Sequence, residues 1–363
     1  MRAAVCRGFG EPLLIEELEL APPGAGQVAV RIDAVAICQS DVAHAAGAWG
    51  GPLPTVLGHE AAGTVTSAGP GVLDMVPGTR VLVTLIRSCG ACPACSSGVP
   101  TSCDHAFELL SSPLRDASGA PVAQGMATGA FSEAVVVDRS QLVRLPLDVP
   151  PEAACLLACG VLTGVGSVVN VAKVSPGATV AVVGAGGVGL NAIQGAAIAG
   201  AGRIIAIDPL PAKREAARRF GATDAVDPGE GDGAAAAVRA LTHGRGVDFA
   251  FVAVGAPAAI EEAVSLLAVQ GTLVIVGMPP SGSAVRLDPT LLAAQNQRVL
   301  GARMGQAVIA RDVPWLIEAW RSGKLKLEAL VTGRYYLDEI NEAIAATREG
   351  AALRNVVVFR DRW

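Results

Sequence analysis

Thr179-Val-Ala-Val-Val-Gly184-Ala-Gly186-Gly187-Val188-Gly189 is the stretch on which the fold of this chain turns. A run of strand-forming residues leads straight into G-x-G-x-x-G, and an alanine-rich helical stretch, Val188–Ala199, follows. Each glycine has a physical role. Gly184 permits a tight turn, Gly186 lets the backbone approach a pyrophosphate closely, and Gly189 allows close helix–sheet packing. Gly187 and Val188 open the helix, whose free N–H groups and positive dipole end favour phosphate. The next apolar run, Arg203-Ile-Ile-Ala-Ile, ends in Asp208, at the roughly 20-residue interval expected of an acid that grips ribose hydroxyls. A helix cap at a strand end would explain Asp208 alone but not the whole strand–glycine–helix–acid unit. A carboxylate there repels a 2′-phosphate, so NAD is expected rather than NADP. Lys213 reads equally as a ribose contact or as a solvated helix lysine.

Outward from this motif the texture repeats. Apolar strands at Thr179–Val183, Arg203–Ile207, Phe249–Val254 and Thr272–Val276 alternate with helices at Val188–Ala199, Ala212–Phe220 and Pro257–Leu267. That is βαβ order, and it predicts an α/β doubly wound parallel-sheet (Rossmann) domain. The first third differs. Short runs at Val28–Ile32, Gly63–Val65, Arg80–Thr84 and Ser132–Val137, separated by Gly and Pro, predict a compact β-rich domain. The tail predicts helices at Arg311–Ser322 and Leu337–Arg348 and a last strand at Asn355–Phe359.

With 363 residues, two domains are expected. The net charge is −5 with no basic run, which excludes a nucleic-acid partner of the usual kind. No apolar stretch reaches the roughly 20 residues that span a bilayer. The N-terminal MRAAVCRGFGEP lacks a secretion signal's apolar core, so a cytoplasmic protein without membrane attachment is expected.

Cys89-Gly-Ala-Cys92-Pro-Ala-Cys95-Ser-Ser-Gly-Val-Pro-Thr-Ser-Cys103 is the most specific local pattern. Four thiolates at this spacing can close a tetrahedron on one zinc and leave no open position, so the site is structural. The remaining four of the eight cysteines are scattered. Spacing does not join Cys38, His59 and Cys159; taken singly, such a histidine is more often a core or turn residue and such a cysteine a small buried hydrophobe.

Taken together, Cys38-Gln-Ser-Asp41, Gly58-His59-Glu60, the lobe at 89–103, Cys159-Gly, the glycine motif with Asp208, and the closing Leu-Arg354-Asn-Val-Val-Val-Phe359 resemble the zinc-containing medium-chain alcohol dehydrogenases. That family includes the class that oxidises a formaldehyde–thiol adduct. The resemblance covers nearly the whole chain. It implies a GroES-like catalytic domain at 1–160 and 304–363 with the cofactor domain, 161–303, inserted. It also implies two Zn2+ per subunit and NAD. Cys38, His59 and Cys159 would hold the catalytic zinc, with Glu60 able to lean in as ligands exchange. Asp41 would orient His59, Ser40 would accept the alcohol's proton, and Arg354 would contact the cofactor pyrophosphate. The partner is then a small alcohol or aldehyde, primary and aliphatic or aromatic; Trp49 and Leu85 fall where residues of an apolar pocket usually lie, and each reads equally as simple core.

Two residues depart from the family pattern. Gln39 stands where many relatives carry a cation near the pyrophosphate, which weakens the phosphate grip by about 1–2 kcal/mol. The usual relay histidine is replaced by Ala43, and His44 follows one position later, so either the loop shifts and His44 relays the proton or the proton leaves through water. The strand Gly271–Gly277 before Met278-Pro-Pro is expected at a sheet edge, where relatives pair into homodimers or homotetramers. Competing functions are a polyol or amino-alcohol dehydrogenase, a nicotinoprotein that keeps its cofactor bound, and a non-catalytic NAD-binding relative.

Overall fold

The computed structural model describes residues 1–106, 112–350 and 352–359. The chain divides into two compact units. One comprises Met1–Cys159, Val308–Glu318 and Leu327–Trp363; the other comprises Gly160–Ala307 and Ala319–Lys326.

In the second unit six parallel strands follow the order Asp224–Val226, Arg203–Ile207, Thr179–Val183, Val247–Val252, Leu267–Ile275, Arg298–Gly301. This is the doubly wound order with the first strand at the centre. Thr179–Val183 and Arg203–Ile207 have the bounds read from the sequence. Their apolar residues are buried through the strand middle, as a sheet covered on both faces requires. The core gathers Ile205, Val247, Ala250, Val252, Leu267 and Leu273. The expected sheet edge needs correction. Leu267–Ile275, which contains most of Gly271–Gly277, lies inside the sheet, and Arg298–Gly301 is the edge. A further parallel strand, too short and polar at its start to stand out in the sequence, covers that side. The segment Ala319–Lys326 joins this unit because Gln194 grips it: Gln194 Oε1 accepts from Lys326 N at 2.7 Å and Nε2 donates to Lys326 O at 3.3 Å.

The glycine loop shows why each glycine is there. Gly184 sits at φ +91°, a left-handed conformation that favours glycine. A Cβ on Gly189 would come within 1.7 Å of Gly184 O, so the helix Gly187–Ile198 can approach the strand only as glycine. A Cβ on Gly186 would meet nothing within 4 Å, which leaves open space over the helix start.

The first unit is built on two sheets. One runs Leu14–Glu17, Arg2–Cys6, Thr55–Val56, Pro121–Gln124, Leu114–Arg115, Glu19–Leu20. The other is seven-stranded around the long strand Gln27–Ile37. That strand pairs antiparallel with Glu60–Ala68, Arg354–Val358 and Ala134–Asp138. Inward-facing Val28, Val30, Ile32, Val65, Val83, Phe131 and Val357 form its core. Among the described residues, no single helix is long and apolar enough to cross a membrane.

Gly189→Ala should cost about 3 kcal/mol of stability, because the clash is with backbone. Gly186→Ala should stay within about 0.5 kcal/mol of the parent. Chemical denaturation of the two variants checks this; equal losses would contradict the roles assigned to the two glycines.

Candidate functional site

Strand register assembles the site in the first unit. Ala36 lies opposite Glu60 on one side of the long strand, and Ile37 lies opposite Asn355 on the other. Glu60 in turn faces Thr84. Cys38, His59 and Arg354 are each one residue beyond these pairs, so three distant segments end at one place. Cys159 arrives through the turn Cys155–Ala158, which Thr84 anchors by donating its hydroxyl to Ala158 O at 2.8 Å.

The ligand atoms of Cys38, His59, Glu60 and Cys159 all lie within 4.8 Å of one another, and all four residues are buried. Asp41, fully buried, holds two of them, Cys38 and His59, in place. Its Oδ2 accepts from Cys38 N at 3.0 Å, and its Oδ1 accepts from Gly58 N and lies 3.0 Å from His59 Nδ1. With Nδ1–H donated to Asp41, Nε2 of His59 carries the lone pair, and it is buried without a hydrogen-bond partner. Glu60 Oε1 is equally buried and unpartnered. Two thiols, an imidazole nitrogen and a carboxylate oxygen form a donor set that fits zinc.

Glu60 Oε2 accepts from Arg354 Nη2 at 2.5 Å. Burial pushes the Glu60 carboxyl up to about 7, against the lowering pull of the guanidinium. The family resemblance implied a pyrophosphate contact for Arg354; in the structure its guanidinium donates to Glu60 of the donor set. Neither Thr84 nor this ion pair was visible in the sequence, because both arise from register across strands. In the sequence Gly58 stands out only as the neighbour of His59. Its φ of +91° and the approach of Phe131, whose N would lie 2.6 Å from an added Cβ, make glycine necessary there.

Helix Gln39–Ala45 carries the other candidates. Gln39 is exposed and Ser40 half-buried in its first turn. His44 is half-buried in its last turn, and both its ring nitrogens are buried without a hydrogen-bond partner. Its ring meets Trp49 edge-on at 6.4 Å. Burial holds the imidazole below its usual pKa, with Asp41 opposing. Trp49 and Leu85 are half-buried. Cys6 and Cys155 are buried thiols outside both donor sets.

The four sulfurs of Cys89, Cys92, Cys95 and Cys103 also lie within 4.8 Å of one another. Backbone N–H groups point at them: Cys92 N to Cys89 Sγ at 3.3 Å, Cys89 N to Cys103 Sγ at 3.3 Å, and His105 N to Cys103 Sγ at 3.4 Å. The donors from Ala91 and Cys92 bring the Cys89 thiol down to about 6. Such N–H···S contacts favour thiolate, the form that ligates metal.

In the second unit, Asp208 caps its strand with both oxygens engaged: Oδ2 accepts from Ala185 N at 2.8 Å and Oδ1 from Leu210 N at 2.9 Å. A carboxylate oxygen has a second lone pair, so each retains room for a hydroxyl donor. Lys213 is half-buried in the first turn of helix Pro211–Arg219. Gly186 caps the helix of the glycine loop and borders open space, and Gly187, Val188 and Gly189 begin the helix, with Gly189 packed against Gly184 O.

Residues 24–147 match the alcohol dehydrogenase GroES-like domain, and residues 187–320 match the zinc-binding dehydrogenase family. The chain is 36% identical over 366 residues to an NDMA-dependent alcohol dehydrogenase of Amycolatopsis methanolica, with 98% of each chain covered. It is 37% identical over 367 residues to S-(hydroxymethyl)glutathione dehydrogenase of Escherichia coli, with 99% of each covered. The solved structure of benzyl alcohol dehydrogenase from Acinetobacter calcoaceticus superposes with a TM-score of 0.93 at 30% identity, covering 99% of both chains.

Freshly purified protein should contain two zinc ions per chain by elemental analysis, one for each donor set. Cys92→Ser should remove one of them and lower the melting temperature markedly, because metal binding and folding are coupled in such a lobe. A single zinc in the parent, or an unchanged count in Cys92→Ser, would overturn the assignment.

Proposed function

The chain belongs to the zinc-containing medium-chain alcohol dehydrogenase family, and from that premise we propose that it is a zinc-dependent, NAD-linked alcohol dehydrogenase. Its reaction is the reversible oxidation of a primary alcohol, aliphatic or aromatic, to the carbonyl. The observation that carries this reading is the buried set Cys38, His59, Glu60 and Cys159, with His59 Nε2 and Glu60 Oε1 lacking any hydrogen-bond partner.

Cys38, His59 and Cys159 would hold the catalytic zinc, with Glu60 as the exchangeable donor. The four cysteines of the lobe would hold the structural one. Bound zinc supplies the Lewis acidity that lets an alcohol ionise near neutral pH, and bound NAD supplies the hydride acceptor. Asp41 keeps His59 in the tautomer whose Nε2 faces the donor set. Ser40 takes the alcohol's proton, and His44, with two unpartnered ring nitrogens, receives it on the way to solvent. Arg354 balances the charge of Glu60 and contributes to phosphate binding. Gly184, Gly186, Gly187, Val188 and Gly189 cradle the pyrophosphate. Asp208 and Lys213 hold the ribose, and neutral Gln39 loosens the phosphate grip. The protein would be cytoplasmic, and copies would pair along the free edge of Arg298–Gly301 into a dimer or tetramer.

A second reading keeps the same site but leaves the cofactor permanently bound. The similarity to an alcohol dehydrogenase whose name makes it dependent on a further compound favours it. Dialysed protein that retains nicotinamide absorbance would select this version.

A panel of primary and secondary alcohols with NAD and with NADP, run with and without a chelator, tests the main reading. Primary alcohols with NAD should turn over and the chelator should stop them. Cys38→Ala should lower kcat about a thousandfold or more, with the chain still folded by circular dichroism. Retained turnover in that variant would remove the chemistry from this site.

A further inference from the structure

The turn that carries Asp208 is braced from below by an ion pair that the proposed reaction does not use. Arg214 Nη1 donates to Asp208 O at 2.8 Å and to Pro209 O at 2.9 Å. The same nitrogen reaches Asp227 Oδ2 at 2.7 Å. Asp227 is itself held, since its Oδ1 accepts from Gly229 N at 2.9 Å. The two side chains are only 15% and 18% exposed. Asp208, 4% exposed, completes the chain of contacts by linking the glycine loop at Ala185 to the turn at Leu210.

A site for a 2′-phosphate uses an arginine near this turn, free to offer its fork of donors. This chain has Arg214 in the helix that follows, but two carbonyls and a carboxylate already hold it through Nη1. To serve a phosphate, it would have to leave Asp227 as a mostly buried carboxylate without its partner, which is costly. Asp208 and Asp227 bear two negative charges around the single positive charge of Arg214, so the turn disfavours a further anion.

We propose that the Arg214–Asp227 pair is a specificity-determining positioning element of the cofactor site. It seats the Asp208–Leu210 turn for a ribose hydroxyl and withholds its cation from a 2′-phosphate. This rests on the reading of the glycine loop and Asp208 as a nicotinamide dinucleotide site. Asp208 is thus one half of the selectivity, and sequestering Arg214 is the other.

Fluorescence titration of NADH and NADPH into the full-length protein tests this, with melting temperature as a check on folding. Asp227→Asn keeps the Oδ1 acceptor and removes the charge. It should move the ratio of the two Kd values about threefold toward NADPH. Asp208→Asn/Asp227→Asn should bind NADPH about tenfold more tightly than Asp208→Asn alone. Adding Arg214→Met to the double variant should abolish that gain, which separates Arg214 from Lys213, present throughout. A purely structural brace would weaken both nucleotides together. Equal NADPH affinity in Asp208→Asn and the double variant, with NADH still bound by the parent, overturns the proposal alone. A parent that binds neither nucleotide overturns the cofactor reading and the proposal with it.

Discussion

Asp41 is a carboxylate without solvent exposure, and three groups converge on it: the backbone N–H of Cys38, the backbone N–H of Gly58 and the ring of His59. Burying an ionised carboxylate is tolerated only when its lone pairs are filled. Here the groups that fill them belong to the segments that carry the donor set. The contact to Cys38 N also closes the first turn of helix Gln39–Ala45, so the helix start and the ligand are set by one side chain. Loss of the His59 ring would leave one hydrogen bond to the buried carboxylate unmade, at about 1.5–3 kcal/mol. The site and the local fold therefore depend on the same interaction.

Around Asp41 the sheet does the gathering. The long strand Gln27–Ile37 is flanked by Glu60–Ala68 and Arg354–Val358, and its C-terminal end is where all three deliver functional residues. A one-residue slip would turn the affected side chains to the opposite face. The packed core of Val28, Val30, Ile32 and Phe131 resists such a slip, so core packing protects the position of the donors. Arg354 extends this logic. It is buried beside Glu60 and supplies the positive charge that a carboxylate between two thiols and an imidazole requires.

The second unit solves a different problem. Its glycine loop brings backbone close to backbone, with Gly189 against Gly184 O, and leaves Gly186 facing open space. Asp208 ties that loop to the following turn through Ala185 N and Leu210 N. Arg214 and Asp227 stiffen the turn from the other side. A rigid anionic turn and an open helix start are complementary features: one suits hydroxyls and the other phosphate.

Features written in contiguous residues could be read directly. The strand–glycine–helix–acid unit from Thr179 to Asp208 has its meaning in spacing, and its strands lie where that spacing puts them. The lobe from Cys89 to Cys103 is equally local, since four thiols so near in the chain have few ways to avoid one another. Only the tertiary structure brings Cys38, His59 and Cys159 to one point, because their meeting depends on register between strands remote in the chain. In the sequence only family resemblance joined them. The tertiary structure alone sets Glu60 against Arg354 and ties Thr84 to the turn before Cys159. It alone also makes Arg298–Gly301 the sheet edge in place of Gly271–Gly277. An edge is defined by the absence of a neighbour in space, and residue order carries no record of which neighbours a strand lacks.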